Sequence, residues 1–509
     1  MEQNYQHSLM SLLREWLEPN SINLDHNPII SHICMNSREV NSGSLFFACL
    51  GQKELGHNYI PETINKGVRA IIFDSAIPIS LEIQSQLQAL NILCIPIPEL
   101  HKKIGCIADQ FYFYPSKQIR ITGITGTNGK TSVSHFLVQA LHSEQTPCGI
   151  IGTLGIGTLE SVTPSKLTTP DSLSIHKHLS DFCNVGVSNV VIEVSSHALD
   201  QGRVNGINFN NAIFTNLSRD HLDYHHNMAN YEAAKSKLFH WPELEYAVIN
   251  IDDKIGCNLI SKVSNSTKVI SYGLSDNASL QAKCIHYNKS EISLEIQGKW
   301  GSSLLQCPLL GKFNVYNILA ALGGLLAHNI PFDEALERLS QIKTVPGRME
   351  LLENPAGPLV VVDYAHTPDA LSQVLYSLKE HLDPKGKLWC IFGCGGNRDS
   401  GKRSLMGEVA EQFSDFVVLT DDNPREEDPV QIIIDIMSGM KHPDKIYKYR
   451  PRSEAISRTI QLAKSKDIIL IAGKGHEEYQ QIGTKFHPFS DKQCAQQALK
   501  DHKNNFIRS

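Results

Sequence analysis

Apolar positions along this chain form short unbroken runs and stretches of helical spacing, and their alternation predicts an α/β protein. Runs at 44–50, 70–74 and 92–97 read as buried strands. Ile119 and Ile121 alternate with polar neighbours as in a strand, and Val133, Phe136, Leu137, Ala140 and Leu141 then recur at helical spacing. Further strands are predicted at 190–194 and 212–217, with a helix through Tyr231 and Lys235 that carries Leu238 and Phe239 on its apolar side. Another apolar helix opens at Gly311. Pro346-Gly347 marks a hinge or boundary. Beyond it, apolar runs at 359–362, 388–392, 416–420 and 468–472 each lead into a polar, Gly- or Pro-bearing loop, with helical patterns between them. This predicts a parallel sheet with crossover helices, whose ligands bind beyond the carboxyl ends of the strands. The expected domains are 1–110, 111–345 and 346–509.

With 509 residues the chain exceeds one ordinary core. Its 41% hydrophobic and 20% charged residues are those of a soluble globular protein, and the net charge of −6 argues against nucleic acid as the main partner. An anionic substrate then has to be held by local Arg and Lys. The twelve cysteines form no CxxC pair or regular framework, and Cys390 and Cys394 read as packing residues. The opening MEQNYQHSLM lacks the basic and apolar regions of a signal peptide, and no stretch approaches the roughly 18 apolar residues of a membrane span. Reduced thiols and a cytoplasmic location are expected.

The densest chemistry lies between the strand at Ile121 and the helix at Val133. Gly126, Thr127, Asn128, Gly129, Lys130, Thr131 and Ser132 form the ending of a phosphate-binding loop. Glycines let backbone N–H groups approach a polyphosphate, Lys130 offsets its charge, and Thr131 suits Mg²⁺. The fit to GxxxxGK[ST] is imperfect, because the position five before Gly129 is Ile124 and Gly123 lies one residue too early. A nucleoside triphosphate is the expected ligand.

Glu193 ends a strand-like run, where a carboxylate beside phosphates suits a hard cation; Ser195 and Ser196 suit a helix N-cap. His221 and His225 are four apart with Asp220 and Asp223 between or beside them, a weak zinc pattern that reads, taken alone, as a solvated helix start. Lys235, on its spacing alone, is a surface charge. Asn314 and Asn317 sit at a helix start, where Asn commonly caps, and Arg348 sits at the hinge, where an Arg can reach a γ-phosphate. In the third region Arg398, Arg425, Lys474, His476 and Glu477 lie on loops expected to meet in one composite site.

In order, GTNGKTS, EVSSH, TNLSRDHLDYH, YEAAKSK, GKFNVYN, PGRME, DYAHTPDAL and AGKGHE resemble the ATP-dependent Mur ligases of peptidoglycan synthesis. The resemblance spans nearly the whole chain, and the loop's departure from the general pattern matches this family's own version. It implies three domains: one for a uridine nucleotide, with Ser37 and the nearby Gly51-Gln52-Lys53; a central P-loop ATPase-type parallel sheet; and a Rossmann-like C-terminal domain that delivers an amino acid. ATP would phosphorylate the terminal carboxylate of UDP-N-acetylmuramoyl-alanyl-glutamate, and an incoming amine would displace the phosphate. By the same resemblance Lys130, Glu193, His221 and Lys235 are catalytic. Thr131, Glu193, His221 and Lys235, the last as a carbamate, would hold Mg²⁺, while Asn314, Asn317 and Arg348 would serve ATP. Thr168, Thr169, Ser195, Gln201 and Arg203 match positions contacting the muramoyl-peptide.

Asp422-Asn423-Pro424-Arg425 matches the signature of members that add meso-diaminopimelate, with Arg398, Gly473 and Glu477 completing that site. Diaminopimelate carries a second carboxylate that lysine lacks, and an unpaired buried guanidinium rejects lysine. A monomer is expected. The alternatives are a lysine-adding member, a folate- or cyanophycin-type amide ligase, and a nucleotide-binding scaffold that has lost catalysis.

Overall fold

Strand ends, more than any other feature of the backbone, decide where this protein places its polar side chains. The computed structural model describes residues 5–17, 27–50, 55–352 and 357–508, with side chains to residue 502. The segment Gly51-Gln52-Lys53 lies outside the described residues. The chain divides into one unit of Met1–Ser271 with Gly323–His328 and a second of Tyr272–Leu322 with Asn329–Ser509.

The first unit holds two sets of parallel strands. One orders His32–Cys34, Ser44–Ala48, Ala70–Asp74 and Leu93–Ile97 side by side. The other pairs Cys148–Gly152, Asn189–Glu193, Arg120–Thr125, Asn211–Phe214 and Tyr246–Asn250 in that order. Their apolar runs are buried on both faces, as parallel strands covered by helices require. Register does the positioning: Glu193 pairs with Ile124 and Phe214 with Thr125, so the loops after three strands leave from one edge. The helix Lys130–Leu141 starts at that edge, behind Gly129 at φ 86°. The helix through Lys235 runs only from Met228 to Ser236; Leu238 and Phe239 instead lie on the 3₁₀ turn Lys237–His240, where both are buried.

In the second unit the four runs beyond the Pro-Gly pair form the expected parallel sheet, ordered Leu359–Asp363, Ile468–Ala472, Leu388–Phe392, Phe416–Leu419, with a short strand Tyr447–Lys448 at one side. The antiparallel strand Glu350–Leu352 pairs with Leu359–Asp363 at the other. Asp363 pairs with Ala472, Ile391 with Ile471 and Phe392 with Leu419, so four loops emerge together. The antiparallel strands Leu280–Tyr287, Ile292–Gly298 and Gly301–Cys307 also belong to this unit.

An ion pair buried in the second unit fixes one of those strand ends. Arg452 is 1% exposed; it meets Asp491 through Nε and Nη2, both at 2.7 Å, and Nη2 also donates to the Ala472 carbonyl at 2.9 Å. All twelve cysteines are free, and Cys390 and Cys394 are buried, as packing residues should be. Among the described residues no helix is long and apolar enough to cross a membrane.

Breaking the buried pair leaves an uncompensated charge. Asp491→Asn is expected to lower stability by about 3–5 kcal/mol, and Arg452→Met with Asp491→Leu to recover most of it. Urea unfolding followed by tryptophan fluorescence checks this; a loss below about 1 kcal/mol for Asp491→Asn would contradict it.

Candidate active site

The phosphate loop is built by contacts with the segment after Phe214. Thr127 N–H donates to the Asn216 carbonyl at 2.8 Å, Asn128 N–H to Asn216 Oδ1 at 3.0 Å, and Thr215 Oγ1 to the Asn128 carbonyl at 2.6 Å. Gly126, at φ 151°, lies so close that a Cβ there would meet Thr215 Oγ1 at 1.9 Å. Thr131 and Ser132 occupy the first turn of the helix, with Ser132 half-buried.

Two lysines converge on this loop. Lys130 Nζ donates to the Gly126 and Thr127 carbonyls at 2.8 and 2.9 Å, and Lys235 Nζ donates to the same Gly126 carbonyl at 2.7 Å. Lys235 is only 2% exposed, not the surface charge that its helical spacing predicts. Burial, reinforced by the charge of Lys130, pushes its pKa well below the ordinary lysine value. The Tyr231 ring lies 4.8 Å from its ammonium, and the Tyr231 hydroxyl is 3.1 Å from Thr127 Oγ1.

Glu193 is fully buried at its strand end. Oε2 accepts from Thr131 Oγ1 and Thr153 Oγ1, both at 2.9 Å, and Oε1 accepts from Thr153 N–H at 3.0 Å. Ser134 Oγ lies 3.5 Å from Oε1, so all these partners are neutral. A buried carboxylate with neutral partners, next to a Thr hydroxyl and a phosphate loop, suits a hard cation completed by phosphate oxygens and water. Lys235 as an ammonium, with no lone pair to offer, does not suit one. Among the described residues no group of three His, Cys, Asp or Glu side chains is placed to hold a metal by itself.

His221 is exposed, at φ 53°, with Nε2 3.5 Å from Asp220 Oδ2. Its ring centroid is 4.9 Å from that of His197, which is also 5.5 Å from His225. His225 is buried, its Nε2 3.0 Å from Ser196 Oγ, so this segment is less solvated than its composition suggests. Burial lowers the pKa of His197 and His225.

The residues matched to the muramoyl-peptide gather beside Glu193. Thr169 Oγ1 donates to the Glu193 carbonyl at 2.7 Å and accepts from Ser195 N–H at 3.0 Å, while Ser195 caps the helix Ser196–Asp200 as expected. Arg203 Nη1 donates to the Thr169 carbonyl at 3.0 Å and Nε to Gln201 Oε1 at 2.8 Å. Thr168 Oγ1 is 3.1 Å from Thr153 Oγ1. Ser37 lies apart from them, in the N-terminal sheet's surroundings, where its hydroxyl donates to Glu62 Oε2 at 2.8 Å. A cavity of about 740 Å³ is lined by Met35 and Asn36, with His32, Glu39, Lys177 and His178.

In the second unit a cavity of about 480 Å³ lies over the four strand ends, lined by Arg398, Asp422, Asn423, Arg425, Gly473 and Glu477 among others. Arg425, at φ 51°, donates from Nη1 to the Gly396 carbonyl at 2.8 Å and from Nε to Gln481 Oε1 at 3.1 Å; Arg398 is exposed at the rim. The Pro424 carbonyl packs so closely on Gly396 that a Cβ there would lie 1.9 Å away. Lys474 is fully buried; its Nζ donates to Glu477 Oε2 at 2.8 Å and to Asn423 Oδ1 at 3.1 Å, and Asn423 Nδ2 donates to Glu477 Oε2 at 2.9 Å.

Arg348 lies over the Tyr364 ring, 4.9 Å from its centroid. Asp363, buried, accepts from the N–H groups of Met349 and Ala365 at 2.8 Å, and burial raises its pKa. Asn314 and Asn317 are buried in the same unit, Asn314 Nδ2 donating to the Leu310 carbonyl and Asn317 Nδ2 to Asn314 Oδ1, each at 2.8 Å. The sequence reading missed Thr153, His197 and Gln481. Thr153 sits at the end of an apolar run with no motif around it, and Gln481 on a hairpin strand whose pattern carries no chemistry. A His two residues after Ser195 was a usable signal for His197.

A phosphate loop facing a buried strand-end carboxylate, with a separate zwitterion-lined cavity at a second set of strand ends, is the equipment of an ATP-dependent ligase. The chain belongs to the Mur ligase family: residues 29–112 match the Mur ligase family catalytic domain, 124–325 the Mur ligase middle domain and 347–475 the Mur ligase glutamate ligase domain. It has the three-domain fold of that family. It is 43% identical over 472 residues to the UDP-N-acetylmuramoyl-L-alanyl-D-glutamate–2,6-diaminopimelate ligase of Ectopseudomonas mendocina, covering 92% of this chain and 95% of that one. The enzyme of the same name from Coxiella burnetii is 42% identical over 492 residues, covering 96% and 99%. A solved structure of a ligase of that name superposes with a TM-score of 0.75 at 32% identity, over 98% of this chain and 99% of the other.

The burial of Lys235 has a pH consequence. With its folded pKa below the unfolded value near 10.5, the unfolded chain binds more protons between the two, so stability rises with pH in that window. In CO₂-free buffer Lys235→Met is expected to be more stable than the native chain at pH 7, with the gap narrowing as pH rises towards 10.5. Thermal unfolding of both proteins across that range checks this; a gap independent of pH would contradict it.

Proposed function

We propose that this protein is the meso-diaminopimelate-adding Mur ligase of peptidoglycan precursor synthesis, using ATP to join diaminopimelate to UDP-N-acetylmuramoyl-L-alanyl-D-glutamate. One observation carries the choice of amino acid: a single cavity whose lining combines the cations Arg398, Arg425 and Lys402 with the carboxylates Asp399, Asp422 and Glu477. The distal end of diaminopimelate is itself a carboxylate and an ammonium, so each has an opposite charge to meet, whereas lysine would leave a guanidinium unmatched. The domains are taken as 1–110, 111–345 and 346–509.

The γ-phosphate goes to the terminal carboxylate of the muramoyl-dipeptide. The diaminopimelate amine then attacks the acyl carbon of the resulting acyl phosphate, and inorganic phosphate leaves with the bonding electron pair. The loop N–H groups from Gly126 to Thr131 and the Lys130 ammonium stabilise charge on the transferring group. Thr131, Glu193 and His221 would hold Mg²⁺, which supplies further charge stabilisation at the phosphates. Lys235, with its pKa depressed by burial and by Lys130, gives up its proton more readily than a solvated lysine, which suits it to capture CO₂. A carbamate there replaces a cation beside Lys130 with an anion able to join the cation site. Thr168, Thr169, Ser195, Gln201 and Arg203 hold the dipeptide, Asn314, Asn317 and Arg348 serve ATP, and the cavity bordered by Met35 and Asn36, next to Ser37, takes the nucleotide end. The expected partners are therefore these substrates and no macromolecule, with a monomer in the cytoplasm.

The test is phosphate release from ATP with the muramoyl-dipeptide, comparing meso-diaminopimelate with L-lysine. Release only with diaminopimelate supports the reading; release with lysine would sink the choice of amino acid, and none with either would sink the reaction. Arg425→Lys loses the planar fork and is expected to reduce kcat/KM for diaminopimelate about ten- to a hundredfold without improving lysine. An unchanged kcat/KM would contradict that assignment.

A further inference from the structure

Between the Glu193 carboxylate and the Thr168 hydroxyl stands a side chain that belongs to neither motif, Thr153. It follows the strand Cys148–Gly152, and the backbone there lies against the carboxylate: a Cβ on Gly152 would sit 2.3 Å from Glu193 Oε1. Thr153 grips Glu193 twice, with its N–H on Oε1 at 3.0 Å and its hydroxyl on Oε2 at 2.9 Å. A carboxylate only accepts, and a hydroxyl has one proton to give. That proton is committed to Glu193, so the 3.1 Å contact between the two threonine hydroxyls runs with Thr168 donating to Thr153.

We infer that Thr153 is a positioning residue that fixes Thr168 as a hydrogen-bond acceptor towards the substrate, selecting an N–H group of the muramoyl-dipeptide and disfavouring a carboxylate oxygen at that point. The inference rests on the reading of Thr168 as a dipeptide-binding residue. Thr168 is half-exposed, so its lone pairs are reachable, while Thr169 is buried with its own proton on the Glu193 carbonyl. Arg203, anchored on the Thr169 carbonyl at 3.0 Å, supplies the positive charge that a carboxylate of the same ligand needs. The two ends of a peptide unit, N–H and anionic, thus meet an acceptor and a cation set side by side. Because the chain of hydroxyls starts at Glu193, whatever Glu193 binds is felt at Thr168, and the coupling is reciprocal.

The experiment is calorimetric titration of UDP-N-acetylmuramoyl-L-alanyl-D-glutamate into the full chain, with ADP titrated separately without Mg²⁺. Thr153→Val is expected to weaken dipeptide binding about tenfold, with ADP binding unchanged within about twofold. Thr153→Ser, which keeps the hydroxyl, restores it, and Thr153→Val with Thr168→Val binds no more weakly than Thr168→Val alone. Native-like binding by Thr153→Val would overturn the inference, as would failure of Thr153→Ser to rescue, which would mean that the methyl group matters instead. Additive losses in the double variant would overturn it too. If the unaltered chain binds ADP but no dipeptide, the functional reading itself fails and the inference falls with it.

Discussion

Two ammonium groups share one carbonyl oxygen, and much of the central site follows from that. Lys130 and Lys235 both donate to Gly126, with Lys235 wholly withdrawn from water. Like charges in a poorly solvated place raise each other's energy, which is why the Lys235 proton is weakly held. Such an arrangement favours anions: a polyphosphate on the loop amides, or a change of sign at Lys235 itself. The surrounding contacts hold the pair in place. Thr215 and Asn216 pin the loop from one side, and Tyr231 covers Lys235 while reaching Thr127.

The same device, parallel strands ending in register, appears twice. In the first unit it sets the phosphate loop, the Glu193 carboxylate and the segment after Phe214 at one edge. In the second it sets four polar loops around a cavity of mixed charge. There the buried Lys474 neutralises one oxygen of Glu477 and braces Asn423, so that Glu477 can share a pocket with Asp422 without forcing it away. Arg452 and Asp491 fix the strand end from which that loop departs. On the proposed reading, selectivity for a zwitterion comes from paired opposite charges on rigid supports, not from net charge.

What could be read from the sequence was what depends on local order. The strand runs, the phosphate loop and the convergence of four loops each follow from spacing and from the geometry of parallel sheets. The strands at 70–74, 388–392 and 468–472 have the residues expected. Lys235 shows the limit: a helix lysine at that spacing reads as solvated, and only tertiary packing against the loop buries it. Thr153 shows another, because a hydroxyl at the end of an apolar run carries no periodic signal and acquires meaning only from the strand beside it. Asn314 and Asn317 were expected to cap or to serve ATP, and in the structure Asn314 donates back to the Leu310 carbonyl just before its helix while Asn317 donates to Asn314.

The central claim, that Lys235 works by changing the sign of its charge, is open to direct observation. The protein would be equilibrated with ¹³C-bicarbonate in the presence of ADP and Mg²⁺ and examined by ¹³C NMR. The account predicts one slowly exchanging carbamate resonance that is absent from Lys235→Arg, and activity that declines as CO₂ is removed. A fully active enzyme with no carbamate signal would contradict it.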